Sequence, residues 1–451
     1  DPSSSLIRSY LGKTYFEEKR TGLDEREYET AKALDPNDPT PRYYDAIALQ
    51  TTNRPVEALH ANQQAIALNV NRAVFRSQLL LDSDLAARSA GLARIYGDLG
   101  FQNLALVEGW KSVNTDGTNF SAHRLLADSY AALPRHEIAR VSELFQSQML
   151  QPTNITPIQP KLGESNLFLL SSQGPSSIST NEFNPLFNRN RFAMQGNGLI
   201  GEDETYAGEA IVSAIYDRAS FSTGYSRFTT DGYRDANDQS DELVTGFVQY
   251  EITPETSVQS EFRYRNRNND DLDLNFFEDD FSPLKSQDFE THTIRGGVRH
   301  AFTPGSILLA SYIYSDNEVT SRDTFVDLFG PGAGDLSLSS DADETSQSGE
   351  VQHLFRSDSL DWFGGIVRDV GVTTGAGFFA IDRDQAISRT TTIVTPPPPA
   401  LNSTTLRNPD VKHSNAYAYS YTDLAGDVTL TLGVSGDFYD EEGDTGAGDI
   451  D

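Results

Sequence analysis

Two periodicities divide the chain. Up to about residue 150, small and large apolar residues recur at helical spacing; from residue 191 they alternate with polar ones in steps of two. The first pattern repeats. Ala31, Ala33 and Leu34 return as Ala65, Ala67 and Leu68, a shift of 34 residues. At the same shift Leu92, Ala93 and Tyr96 return as Leu126, Ala127 and Tyr130, and Tyr10 and Gly12 as Tyr44 and Ala46. Turn signals separate the units at Asp35-Pro36-Asn37-Asp38-Pro39 and Asn114-Thr115-Asp116-Gly117, where proline stops one helix and starts the next. Three to four helical repeats are expected over residues 5–150, with 70–90 irregular. Such units bury their apolar faces only against their neighbours.

The second pattern reads as strands. Val244, Gly246, Val248, Tyr250 and Ile252 alternate with Thr245, Phe247, Gln249 and Glu251. Val258, Ser260, Phe262 and Tyr264 alternate with Gln259, Glu261, Arg263 and Arg265. Successive side chains of a strand point to opposite faces, so each run has one apolar face and one polar or small face. About eleven strands are expected, near 191–200, 206–216, 219–229, 242–252, 256–266, 290–302, 306–315, 347–357, 370–382, 412–421 and 427–438. Most are about ten residues long, the length a tilted strand needs to cross a bilayer. Short turns at 216–218, 253–255, 303–305 and 424–426 alternate with long polar loops at 230–241, 267–289, 316–346 and 383–411; the link 358–369 is ambiguous. Short connections at one end and long ones at the other are the pattern of an outer-membrane barrel. A soluble β-sandwich has no reason to collect its long loops at one end.

Charge sharpens the division. The chain has 451 residues with 35 Lys and Arg against 66 Asp and Glu, a net charge of −31. Residues 1–150 hold 16 basic and 19 acidic residues, which leaves 19 basic and 47 acidic for the remainder. An acidic total argues against nucleic acid as a partner, which would need a cationic face. Much of the acidity falls in the long connections, at Asp270, Asp271, Asp273, Glu278, Asp279 and Asp280, and at Asp341, Asp343 and Glu344. Asp270, Asp271 and Asp273 are a candidate Ca²⁺ cluster, although the glycine and terminal glutamate of an EF-hand are missing. Without cysteine, disulfides and thiolate chemistry are excluded.

Other chemistry is sparse. Gly196, Gly198 and Gly201 satisfy G-x-G-x-x-G, but another alternating run follows where a dinucleotide site needs a helix. The seven histidines show no metal-ligand spacing, and no Ser-His-Asp, Walker or kinase signature appears. No enzyme and no cofactor are expected. No apolar run is long enough for a transmembrane helix. Residues 1–30 hold no cationic stretch followed by an apolar core, so the expectation is a removed leader or a fragment.

A 34-residue period with Leu11, Gly12 and Tyr15 as Leu-Gly-x-x-Tyr, and Ala31 to Pro36 as Ala-x-Ala-Leu-Asp-Pro, resembles the tetratricopeptide repeat family. The resemblance implies a superhelix with a concave groove for a protein or glycan ligand. Groove candidates, assigned to the first helices of the repeats, are Arg42, Tyr43, Asn103, Arg124 and Asp128. Repeats followed by a barrel resemble the exporters of exopolysaccharides, in which repeats recruit partners or polymer and the barrel conducts polymer outward. The long loops are also similar to those of TonB-dependent receptor barrels, though no plug-like domain precedes them.

The expected fold is therefore α + β and multidomain. An all-α tetratricopeptide solenoid (1–150) and a linker (151–190) precede an antiparallel transmembrane-type β-barrel (191–451). Barrels of this class close with even strand numbers, so eleven strands ending in an acidic stretch predict further strands beyond the C-terminus. Gln249, Glu251, Gln259, Glu261, Arg263, Arg295 and Arg299 would face the lumen if the apolar faces meet outer-membrane lipid. The expected location is the outer membrane, with the repeats in the periplasm. Two functions fit: a transport or export conduit, or an envelope adaptor whose repeats bind a protein while the β-domain anchors it or displays acidic loops. An open polar channel favours the first, a blocked lumen the second.

Overall fold

The computed structural model describes residues 2–73, 78–131, 137–153, 190–273, 281–326, 334–357, 367–393, 401–424 and 428–447. Its helices are α1 (Ser5–Glu17), α2 (Leu23–Leu34), α3 (Pro39–Thr51), α4 (Pro55–Ala67), α5 (Gln78–Asp98), α6 (Gln102–Thr115), α7 (Phe120–Ala131) and α8 (Glu137–Leu150). Capping chemistry sets their starts. Ser4 accepts from the Ile7 N–H before α1, and Asp38 accepts from the Thr40 N–H at 2.9 Å before α3, whose first residue is Pro39. Asp35 ends α2 in extended conformation, so one proline-rich turn closes a helix and opens the next.

The helices pack as consecutive pairs, and α1 and α3 begin 34 residues apart. Positions related by that shift are buried alike: Ala31 with Ala65, Leu92 with Leu126, Ala93 with Ala127. Small residues allow the close approach. A Cβ at Gly12 would lie 2.6 Å from the fully buried Tyr28 ring. The irregular stretch contains a 3₁₀ turn at Asn69–Arg72 and then α5, which at 21 residues is the longest helix described. That extra length makes 102–115 the second helix of the third pair. Asn103 therefore sits on α6, not on a first helix as expected.

The strands are β1 (Arg191–Ile200), β2 (Tyr206–Tyr216), β3 (Ala219–Thr230), β4 (Gln239–Thr253), β5 (Thr256–Asn269), β6 (Ser286–Thr303), β7 (Ser306–Phe325), β8 (Gly334–Ser357), β9 (Val367–Ile393), β10 (Leu401–Leu424) and β11 (Val428–Ala447). They form one antiparallel sheet in sequence order, with β1 and β11 at its edges among the described residues. The architecture is a helical-repeat array joined to an antiparallel meander of the barrel type.

Two expectations need correction. The strands β6 to β11 run 18 to 27 residues, well beyond ten. Most of the long loops 316–346 and 383–411 is strand, so Asp341, Asp343 and Glu344 lie within β8. Both faces of these extensions are polar, which erases the alternation by which a strand is recognised, while the antiparallel hydrogen bonding continues regardless. The segments 154–189 (most of the expected linker), 274–280 (with Glu278, Asp279 and Asp280) and 396–399 (the proline run) lie outside the described residues.

The sheet is inverted relative to a soluble one. On β4 the side chains of Thr245 and Gln249 are 2 % and 0 % exposed, whereas Val248, Tyr250 and Ile252 are each 48 % exposed. Exposed apolar residues continue on the same face as Phe221, Phe262, Ile294, Val298, Phe302, Tyr312, Val351 and Phe355. Val244 to Ile252 on β4 and Ile294 to Phe302 on β6 bound this apolar face next to the short turns. Each run matches the roughly nine to eleven residues with which a tilted strand crosses hydrocarbon.

The Gly12–Tyr28 contact gives a direct check on the array. Gly12→Val drives two methyl groups into the Tyr28 ring and is expected to destabilise the array by about 1–3 kcal/mol. Thermal melting of the helical circular-dichroism signal measures it; an unchanged melt would mean that the helices do not pack as described.

Candidate functional site

The last helix of the array lies across the polar face of the sheet. Along α8 and the residues just after it, contacts move from β8 towards β4. Gln146 Nε2 donates to Gln352 Oε1 at 3.2 Å on β8. Gln148 Nε2 donates to Glu261 Oε2 at 2.6 Å on β5. Gln249 Nε2 on β4 donates to the Gln151 carbonyl at 2.8 Å, and Thr153 Oγ1 donates to Glu251 Oε2 at 2.9 Å. An apolar cluster secures the crossing, with Phe145, Met149 and Leu150 of α8 against Ile307, Leu309 and Leu354. Gly297 makes room for it, since a Cβ there would meet Met149 at 3.1 Å.

The polar groups under α8 are almost dry. Gln249, Gln259, Glu261, Arg263 and Arg295 are each under 10 % exposed, while Glu251 and Arg299 are half-buried. Arg295 and Glu261 approach to 3.6 Å, so Glu261 is shared between a guanidinium and the Gln148 amide. Both amide atoms of Gln259 and the Oε1 of Gln148 are buried without a hydrogen-bond partner among the described residues. Buried polar atoms of this kind are ordinarily satisfied by water or a bound solute.

A second tie lies beside the helix. The Arg356 guanidinium on β8 bonds Asp82 of α5, the Thr115 carbonyl at the end of α6, and Asp369 of β9 at 2.7 Å. Within the array, His123 of α7 holds α8 through Glu143 at 2.5 Å and also reaches the Gly117 carbonyl at 2.9 Å. Burial opposes charge on His123. The Glu143 carboxylate and the Gly117 carbonyl outweigh that penalty and raise the imidazole above its ordinary range.

All seven residues assigned to the polar strand face lie on that face, and α8 covers its short-turn end. The groove candidates do not form one surface. Tyr43 is buried with Ile47 and Ala65 beneath the Arg88 guanidinium, which lies 5.6 Å from its ring. Arg42 bonds Gln64 and the Asp38 carbonyl. Arg124 is buried and paired with Asp128 at 3.1 Å, and Asn103 is exposed on α6.

The three aspartates offered for Ca²⁺ are not arranged as a ligand set. Asp271 is 2 % exposed and accepts from the Ser282 N–H at 2.9 Å, the Asp273 N–H at 3.1 Å and Lys285 Nζ at 3.2 Å. Burial alone would raise its carboxyl; these donors outweigh burial and hold it below the usual range. Asp273 pairs with the same lysine. Among the described residues no group of three or more His, Asp or Glu is placed to hold a metal ion. The clustering in sequence reflected a lysine-centred turn.

Sequence reasoning missed Gln148, Gln151 and Arg356. Polar residues near the end of an amphipathic helix read as its wet face. Only the sheet opposite makes them an interface.

No family model and no curated protein matches the chain. Solved structures do align with its parts. A crystal structure of MamA aligns over 33 % of this chain and 78 % of its own, at 19 % identity and a TM-score of 0.27. The FpvAI–pyocin S2 complex aligns over 58 % of this chain and 38 % of its own, at 12 % identity and a TM-score of 0.44. The siderophore receptor PiuA from Acinetobacter baumannii aligns over 56 % and 46 %, at 11 % identity and a TM-score of 0.38. The chain thus spans less than half the length of these two strand-rich structures.

Two measurements check the junction. The chain has no cysteine, so Met149→Cys with Gly297→Cys should form a disulfide on oxidation and change mobility on a non-reducing gel. Met149→Cys with Gly296→Cys, on the opposite face, should not; equal yields would remove α8 from the sheet. The raised His123 pKa adds stability to α7–α8 that is complete below the unfolded value of about 6.5. That stability is lost as pH rises through the folded value. The helical melting temperature should therefore fall as pH rises above that point, and His123→Gln should flatten the dependence.

Proposed function

We propose that this chain is an outer-membrane transport protein. Its sheet lies in the bilayer with the apolar face towards lipid, and the short turns and helical array lie on the periplasmic side. The polar inner face forms the conduit to which the array recruits a protein or glycan partner. Export of a polymer, as in the repeat–barrel exporters, is the finer form of this reading. The chain works by binding and passage, without catalysis.

One observation carries the proposal: the sheet turns its apolar side chains outward and its polar side chains inward. In water this arrangement would leave a continuous apolar face far larger than soluble monomers tolerate. In a bilayer it is the arrangement expected of a barrel strand. The side assignment rests on the connections, because short turns face the periplasm in this class and the array meets the sheet at their end. No helix among the described residues is long and apolar enough to cross a membrane, which says nothing of crossing by strands.

The position of α8 favours a second reading. A helix seated across the inner face suits an adaptor whose repeats bind a protein partner while the sheet anchors it and displays the acidic hairpins. Conductance separates the two. A steady open channel from the reconstituted protein, or one appearing when α8 is displaced, belongs to the conduit; neither would appear in the adaptor.

The first test is membrane fractionation with heat-modifiable gel migration. The product should sit in the outer-membrane fraction and migrate differently before and after boiling. Val298→Arg, on the outward face near mid-span, should cost about 2–4 kcal/mol and reduce the heat-modifiable band. A soluble product that tolerates Val298→Arg overturns the proposal.

A further inference from the structure

The polar face is not uniformly polar. Arg263, Arg265 and Arg267 occupy successive inward positions of β5, and Arg295 and Arg299 occupy inward positions of β6. The register sets them in order along the face. Arg299 lies opposite Ser257, Arg295 opposite Glu261, Arg263 opposite Thr293, Arg265 opposite Thr291, and Arg267 opposite Phe289. Successive inward residues are about 6.6–6.8 Å apart along a strand. These are five of the nineteen basic residues after residue 150, gathered on one face of two neighbouring strands in the acidic half of the chain.

The carboxylates on the same face of β4, β5 and β6 are fewer: Asp241, Glu251 and Glu261. Asp241 is taken by Arg265 at 2.5 Å. Glu261 is shared between Arg295 and Gln148, and Glu251 accepts from Thr153. The Nε atoms of Arg267 and Arg299 are withdrawn from solvent without a hydrogen-bond partner, as are both amide atoms of the nine-tenths buried Gln259. Arg267 instead lies 4.4 Å over the Phe289 ring, which holds its guanidinium flat and in place. A partly buried row of guanidiniums with too few carboxylates is costly unless an anion completes it. Walls of low dielectric around it concentrate the field on whatever enters.

We infer that the inward face of β5 and β6 is a binding lane for multivalent oxyanions, entered from the long-connection end and closed at the other by α8. The inference rests on the reading of this face as a conduit interior. Guanidinium forks match the planar oxygens of carboxylate and phosphate alike. The shared chemistry is therefore a small solute bearing several such groups.

Calorimetric titration of the full chain in detergent, with tripolyphosphate, citrate and neutral maltotriose as probes, tests the lane. Tripolyphosphate, citrate or both should bind, more weakly as salt rises, and maltotriose should not. Binding by tripolyphosphate alone assigns a phosphorylated solute; binding by citrate alone assigns a carboxylated one. Arg263→Gln with Arg267→Gln should weaken the bound probe by roughly tenfold for each guanidinium removed. Heat-modifiable migration, measured on the same samples, reports the barrel separately from the lane. If the double variant loses it, Arg267→Gln alone, at the edge of the row, carries the comparison. Failure of the wild type to bind either anion, or equal binding by a variant that still migrates as a barrel, overturns the inference.

Discussion

Everything in the strand half follows from keeping backbone hydrogen bonds satisfied while apolar side chains face outward. Within hydrocarbon no water can pair an exposed N–H or C=O, so a spanning strand must find both partners in its neighbours. The meander supplies them by sequential antiparallel pairing from β1 to β11. With the backbone settled, the period-two alternation divides the side chains. Val248, Tyr250 and Ile252 go to one side of β4, and Thr245, Phe247 and Gln249 to the other. The polar side must then be hydrated, paired or covered, and the covering helix and the row of arginines are both consequences of that demand.

The helical array meets the demand with a surface that matches it in kind. Glutamine can donate and accept at once, and Gln146, Gln148 and Gln249 bridge helix and sheet without adding charge to an interior already holding Arg295 and Glu261. Where the sheet face turns apolar, at Ile307, Leu309 and Leu354, the helix offers Phe145, Met149 and Leu150. A junction that alternates amide contacts with hydrophobic packing holds one orientation, because sliding the helix by a turn would leave buried amides unpaired. Arg356 reinforces that orientation from the side by joining α5, α6 and β9.

How much of this was legible depended on whether the signal was local. The 34-residue shift located Ala31, Ala65, Leu92 and Leu126, because each repeat buries the same positions against its neighbour. The alternation located all eleven strands near the short turns, where one face meets an apolar environment and the other a polar one. Beyond the apolar band both faces are polar, so the outer halves of β7 to β10 were taken for loops. The Asp270–Asp273 cluster suggested a metal because sequence shows the carboxylates but not Lys285 folded among them. Asn103 was placed on the wrong helix because the length of α5 interrupts the period.

The sequence by itself determined the two halves, the helical period of one, the strand order of the other, and which side chains share a face. These are properties of neighbours along the chain or at a constant spacing, and the physics of repeat and pleat reads them out directly. Only the tertiary structure decided that α8 lies across the polar face, that Arg356 ties the array to the sheet, and that arginines from β5 and β6 form one row. Each of these joins residues far apart in sequence, and their pairing is governed by shape and desolvation at contact, which no local period records.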